Sequence, residues 1–119
     1  SSTKDNLFEL IMLRFELLGS YKDSLKSILS TSKNNPIILK KISKNVLNSL
    51  DFYLEVTNSY TESPKDFFKK NLIFFVYAYV FKIWLDDNSK DLSKTMAELD
   101  KLLSLSEKIL KKVNSFLPF

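Results

Sequence analysis

Apolar residues run along this chain at three- and four-residue spacing, in stretches separated by short polar breaks. That spacing is the period of an α-helix with one side turned to a core. Ser2 with Asp5 reads as a capping box ahead of NLFELIMLRFELL, and Gly19 stands where a helix stops. Ser20 with Asp23 opens a shorter helix striped by Tyr21, Leu25, Ile28 and Leu29. After the loop TSKNN, Asn35 and Pro36 give a cap followed by proline at the first helical position. The third helix carries Ile38, Ile42, Val46, Leu50, Tyr53 and Leu54, and frays in TNSYTES. Ser63, Pro64 and Asp66 repeat the start signal for a fourth helix running to about Leu85, where DDNS breaks it and Ser89 or Asn88 caps the next.

The last helix has the clearest period: Leu92, Met96, Leu99, Leu103, Leu110, Val113 and Leu117, with Ser106 as a polar break. A second row, Leu102, Leu105, Ile109 and Phe116, widens its apolar face. The fourth helix is apolar nearly all round, so both predict burial on more than one side. A chain of 119 residues forms one domain and can hardly cover two such helices by itself. The pattern therefore predicts an all-α bundle of about five helices, paired as a homodimer through the last two.

Composition supports this. One glycine and three prolines are too few for the turns of a sheet-rich fold, and 45% hydrophobic residues supply a core. The run Leu72 to Phe81 spans roughly 15 Å as a helix, about half a bilayer core, so it predicts a buried helix and not a membrane span. The opening SSTKDNLFEL has an acid and no apolar stretch of the kind a secretion signal carries, which predicts a cytoplasmic location.

Net charge is +4, but only Arg14 of the 18 basic residues is an arginine, and the lysines are spread along the chain. Bidentate phosphate and base recognition favours arginine, so no nucleic-acid groove is expected. A solvated lysine-rich face accounts for the small clusters at Lys40, Lys41, Lys44 and at Lys108, Lys111, Lys112, and weak attraction to an acidic partner or an anionic membrane surface is the alternative.

Chemistry is sparse. There is no histidine and no cysteine, and a lone glycine excludes phosphate-binding loops. Asp86 and Asp87 are adjacent and so face different ways on a helix, a poor acid/base pair. No enzyme and no cofactor or metal is expected. What is concentrated is aromatic bulk: Phe67, Phe68, Phe74, Phe75, Tyr77, Tyr79, Phe81 and Trp84 fall in one helix. Ordinary core packing explains such a stripe, and so does an apolar pocket between helices.

The stretch from Val76 to Leu103, VYAYVFKIWLDDNSKDLSKTMAELDKLL, resembles the C-terminal signature of the ninth Coq protein family, TetR-like accessory proteins of ubiquinone biosynthesis. Tyr77, Trp84, Leu85, Asp87, Ser89, Asp91, Thr95, Leu99, Asp100 and Lys101 carry the likeness, with LFELIMLRFELL and LDFYLE upstream. Two positions depart from the pattern: Leu102 follows Lys101 where a second basic residue is usual, and Met96 replaces an aromatic.

The resemblance implies a single TetR-like ligand-binding and dimerisation domain over residues 1–119, lacking the helix-turn-helix-like segment of family members. It implies a non-catalytic lipid-binding accessory of ubiquinone biosynthesis that presents an isoprenoid or quinone lipid to a partner hydroxylase. The alternative is the effector and dimerisation domain of a TetR-type transcriptional regulator. Carried over by position, the lipid cavity is lined by Phe8, Met12, Leu72, Phe75 and Tyr79. The partner patch is Trp84, Asp87 and Met96, at an acidic turn expected to be exposed. The family's amphipathic membrane-binding helix has a counterpart in EKILKKVNSFLPF, which fits a peripheral place on the inner face of a bacterial membrane and fits a continuation of the bundle equally well.

Overall fold

A computed structural model describes residues 3–56 and 64–116, except for the side chains of residues 50–66 and 114. It is all-α among these residues. The elements are α1 (Thr3–Leu18), α2 (Lys22–Ser32), α3 (Pro36–Val56), α4 (Pro64–Leu85) and α5 (Ser93–Phe116), with single 3₁₀ turns at Gly19–Tyr21 and Lys90–Leu92. The helical signals at Ser2 and Ser63, and the inward residues Leu50, Tyr53, Leu54 and Leu117, lie outside the described residues.

The five expected helices are four continuous rods, because α1 and α2 run together through the turn Gly19–Tyr21. Gly19 does not end α1 in the left-handed conformation; no glycine has positive φ. Its missing side chain faces open space, with no atom within 4 Å of where a Cβ would stand. The Ser20 capping box is likewise not formed, since α2 starts from Tyr21 with no side-chain cap. Asn35 behaves as its sequence context predicts: its Oδ1 accepts the amides of Ile37 and Ile38 at 3.2 and 3.3 Å.

The core lies where α1, α4 and α5 meet. Leu7, Ile11 and Phe15 come from α1 at four-residue spacing, Ile73, Val76, Tyr77, Val80 and Trp84 from α4, and Leu99 and Leu103 from α5. Aromatic rings make its densest part. Phe15 stacks on Trp84 with centroids 5.1 Å apart, Phe81 packs against both, and Tyr77 packs against Phe15 and Phe81. Fully burying each such side chain contributes about 1.5–3 kcal/mol. Arg14 ties three elements together: its Nη1 donates to Ser49 Oγ on α3, and its guanidinium lies 5.5 Å from the Tyr77 ring centroid on α4.

The molecule measures 44 × 35 × 22 Å. A helix with its side chains is about 10–12 Å across, so the slab is two helices thick. Every rod therefore keeps an outer side. In α2, Leu25 and Leu29 pack inward, while Ile28 and, in the turn before the helix, Tyr21 of the expected stripe face out. In α4, the outer side carries Phe68, Phe75 and Tyr79. In α5, Ser106 is buried without loss because its hydroxyl donates to the Leu102 carbonyl at 2.8 Å, while Leu105 and Phe116 of the second row are exposed.

Since Gly19 uses none of glycine's conformational freedom, Gly19→Ala is expected to stabilise the protein by about 0.4–1 kcal/mol through the unfolded chain, read as a raised urea midpoint. A lowered midpoint would show that the junction of α1 and α2 does need glycine.

Candidate functional site

The turn between α4 and α5 is densely hydrogen-bonded, and it is built around Asp87. This residue is buried, at 3% exposure, contrary to the expectation of an exposed acidic turn. Its Oδ1 accepts the Ser89 amide at 2.8 Å and the Ser89 hydroxyl. Its Oδ2 accepts the Thr95 amide at 2.9 Å and the Thr95 hydroxyl at 2.5 Å. A buried carboxylate needs this many donors to be tolerated.

Asp87 is thus a remote cap for α5. The Thr95 amide is among the first N–H groups of that helix, which have no partner inside it, and a carboxylate there also meets the positive end of the helix dipole. Ser89 has the capping part expected of it, its Oγ accepting the Lys94 amide at 3.3 Å, but Asp87 does the larger share. Between them Asp91 and Leu92 have φ of 58° and 55°. A left-handed residue other than glycine costs roughly 1–2 kcal/mol, and the flanking hydrogen bonds and the packing of Leu92 against the core hold this pair in place.

Helix α2 closes the joint from the other side. Lys22 Nζ donates to the Asp87 carbonyl at 2.8 Å and lies 5.0 Å from the Trp84 ring centroid. Lys26 pairs with Asp86 at 3.4 Å, an exposed contact of little energetic weight. Trp84 itself is fully buried against Phe15, and its Nε1 has no acceptor among the described residues.

The expected partner patch therefore does not form. Trp84 and Asp87 are inside, and Met96 is half-buried against the core. The apolar demand of an indole and the donors supplied by Ser89 and Thr95 pull the whole stretch inward. The expected lipid cavity is not assembled either. Phe8 and Met12 pack on the core side of α1 and Leu72 is half-buried on α4, whereas Phe75 and Tyr79 are 67% and 57% exposed. Residues 72, 75 and 79 share the outer side of α4, away from α1, because three- and four-residue steps return to one face.

A cleft does exist elsewhere. It holds about 160 Å³ between the start of α1, the start of α4 and the second half of α5. Leu7, Ile73, Leu103 and Leu110 make its floor, and Lys4, Lys69, Lys111 and Glu107 stand at its rim. Lys4 is tied to Asp100 at 2.9 Å, and the hydrogen bond to that carboxylate raises its pKa. Of these rim residues the sequence singled out only Lys111, in a lysine cluster, because their joining depends on three helices meeting. Lys22, Ser89 and Thr95 were also missed as partners of Asp87, although the spacing Asp87, Ser89, Thr95 ahead of an apolar period carried a signal for a cap.

Among the described residues no group of three or more Asp or Glu side chains converges on a metal-sized space, and no helix is long and apolar enough to cross a membrane. The geometry defines a class, an all-α helix bundle with a hydrogen-bonded joint. No family model, curated protein or solved structure matches the chain.

Burial alone would raise the Asp87 carboxyl pKa, but the hydroxyls and amides of Ser89 and Thr95 outweigh it and hold the group well below its ordinary 3.8. A carboxyl lowered in the folded state stabilises the fold above its unfolded pKa, and that stabilisation drains away as pH falls below it. Asp87→Asn is expected to cost about 2–3 kcal/mol at neutral pH and to flatten the fall of the urea midpoint below about pH 4. Parallel acid slopes in the two proteins would refute the assignment.

Proposed function

We propose that the chain is a non-catalytic association domain that pairs with a second copy of itself through the outer side of α4 and α5. The observation that carries this is the row Phe68, Leu72, Phe75 and Tyr79, which repeats at four, three and four residues along the outside of α4. On α5, Leu102, Leu105, Ile109 and Phe116 make a second apolar row, half-buried to exposed. Paired about a two-fold axis, two such helix hairpins form a four-helix bundle with a shared apolar seam.

The areas agree. Taking 150–250 Å² for a whole aromatic side chain, the exposed parts of Phe68, Phe75, Tyr79, Leu105 and Phe116 amount to roughly 500 Å². A stable pair buries about 800 Å² per partner, some 65% of it apolar in homodimers, which is also about 500 Å². A monomer keeping this patch in water would sit at the upper end of what soluble proteins expose.

Sedimentation equilibrium tests it. The wild type is expected at twice 13.9 kDa, and Phe75→Glu with Tyr79→Glu at 13.9 kDa with unchanged helicity, since both side chains are exposed. A wild type that stays at 13.9 kDa up to ~100 µM overturns the reading, because that Kd marks an interface too weak for the area available.

A second reading is favoured by the cleft between α1, α4 and α5. At about 160 Å³ the cleft is smaller than the roughly 300–1,000 Å³ of a whole-ligand site, so its apolar floor fits one end of an apolar tail, beside a rim of Lys69, Lys111 and Glu107 with Lys4 held by Asp100. With the family resemblance, this supports an accessory that holds an isoprenoid or quinone lipid for a hydroxylase, at a site other than the one the sequence predicts. The purified protein is expected to carry such a lipid or a phospholipid in native mass spectrometry, and Leu110→Glu, which sets a carboxylate in the floor, to lose it. An empty wild type, or one whose lipid survives that change, counts against this site.

A further inference from the structure

The corner between α2 and α3 is used neither by the joint at Asp87 nor by the outer side of α4 and α5. It is unusual in what it exposes. Ile37, Ile38 and Leu39 are 69%, 37% and 44% accessible, three apolar residues in succession. Successive helix positions are 100° apart, so these side chains spread over about 200° of the circumference. A helix read by a protein groove presents apolar residues at three- and four-residue steps along one side. Three in a row at a helix start make an apolar knob instead.

The knob is prepared for a dry surrounding. Asn35 Oδ1 accepts the Ile37 and Ile38 amides, and Pro36 has no N–H to satisfy. The first donors of α3 therefore need no water. The Leu39 amide is bonded to the Asn35 carbonyl at 3.1 Å.

A basic collar surrounds it. From Ser24 to Leu50 the chain has five lysines and not one acidic residue. Lys26 is engaged by Asp86, while Lys33, Lys40, Lys41 and Lys44 are exposed on either side of the knob. Attraction of apolar side chains to hydrocarbon and of lysines to anionic headgroups is the physics of a segment lying in a membrane interface. Lysines attract a diffuse negative field without the bidentate geometry of arginine, and a phosphate backbone gives three adjacent aliphatic side chains nothing to enter.

We propose that the α2–α3 corner, from Lys33 to Lys44, is a contact site for an anionic membrane surface, with Ile37, Ile38 and Leu39 entering the boundary between headgroups and acyl chains. The contact is peripheral, and it does not depend on pairing through α4 and α5 or on the cleft.

Vesicle flotation tests it with the whole chain. Vesicles of phosphatidylcholine with about one-third phosphatidylglycerol are expected to carry the protein, pure phosphatidylcholine to leave it behind, and added salt to release it. Changing Ile37, Ile38 and Leu39 together to serine, or Lys33, Lys40, Lys41 and Lys44 together to glutamate, should each weaken flotation at least tenfold. A wild type that does not float overturns the proposal. So does flotation unchanged in both variants, or lysine-dependent binding to a DNA duplex or an acidic protein by a chain that ignores vesicles. A readout that survives misfolding of these variants uses single labels. The chain has no cysteine, so Ile37→Cys and Lys94→Cys can each carry one polarity-sensitive fluorophore. The label at position 37 is expected to shift to the blue on anionic vesicles while that at position 94 does not, and equal responses would sink the assignment of the corner.

Discussion

The Asp87 carboxylate is the contact on which the arrangement of the last two helices depends. It is buried and receives four hydrogen bonds from Ser89 and Thr95, and its backbone carbonyl takes a fifth from Lys22 of α2. These bonds set where α4 stops, hold Asp91 and Leu92 in a left-handed turn, and give α5 its cap. Directly before the joint, Trp84 is stacked on Phe15, so α1, α2, α4 and α5 are referenced to one small region. A charge is kept inside at this point because each of its lone pairs has a donor; removing either side of that match leaves a buried group without a partner.

From that joint the two longest helices run back alongside each other in a slab two helices thick, and this thickness decides what the protein has left to offer. A helix that is apolar nearly all round cannot be covered by so thin a body. The inner side of α4 supplies the core, and its outer side supplies Phe68, Phe75 and Tyr79 to whatever lies beyond the chain. Pairing of two copies, a lipid in the cleft and a membrane under the α2–α3 corner use different surfaces, so each can fail without the others.

Helices and much of the core were legible because their signals are local. Asn35 and Pro36 announce α3, since a side chain capping amides two and three residues on depends on nothing distant. Leu99 and Leu103 read as inward because the four- and three-residue rhythm of α5 puts them on one side, whereas α1 is apolar on several sides and only its packing picks out Leu7, Ile11 and Phe15. Where a local signal met a tertiary one, it lost. Gly19 looks like a stop, yet α1 passes through it into a 3₁₀ turn and α2. The pair Trp84 and Asp87 looks like an aromatic beside an acidic rim, yet donors eight residues ahead and a lysine 65 residues behind draw it inside. The positions carried over as a lipid cavity failed for the same reason: Phe75 and Tyr79 are one helical face, but which face points inward is set by α1 and α5 and not by α4.

The amino-acid sequence by itself determined the all-α class, the approximate helix limits and the excess of apolar surface over what one chain can bury, because these follow from periodicity, capping and length. Tertiary structure alone decided which side of α4 faces water, that Asp87 is a cap and not a docking charge, and that Ile37, Ile38 and Leu39 stay exposed. Those outcomes depend on the rotation of each helix about its axis. In α4 that rotation is fixed by the fit of Trp84 against Phe15 and by the bonds at the turn, since a helix apolar on every side carries no preference of its own.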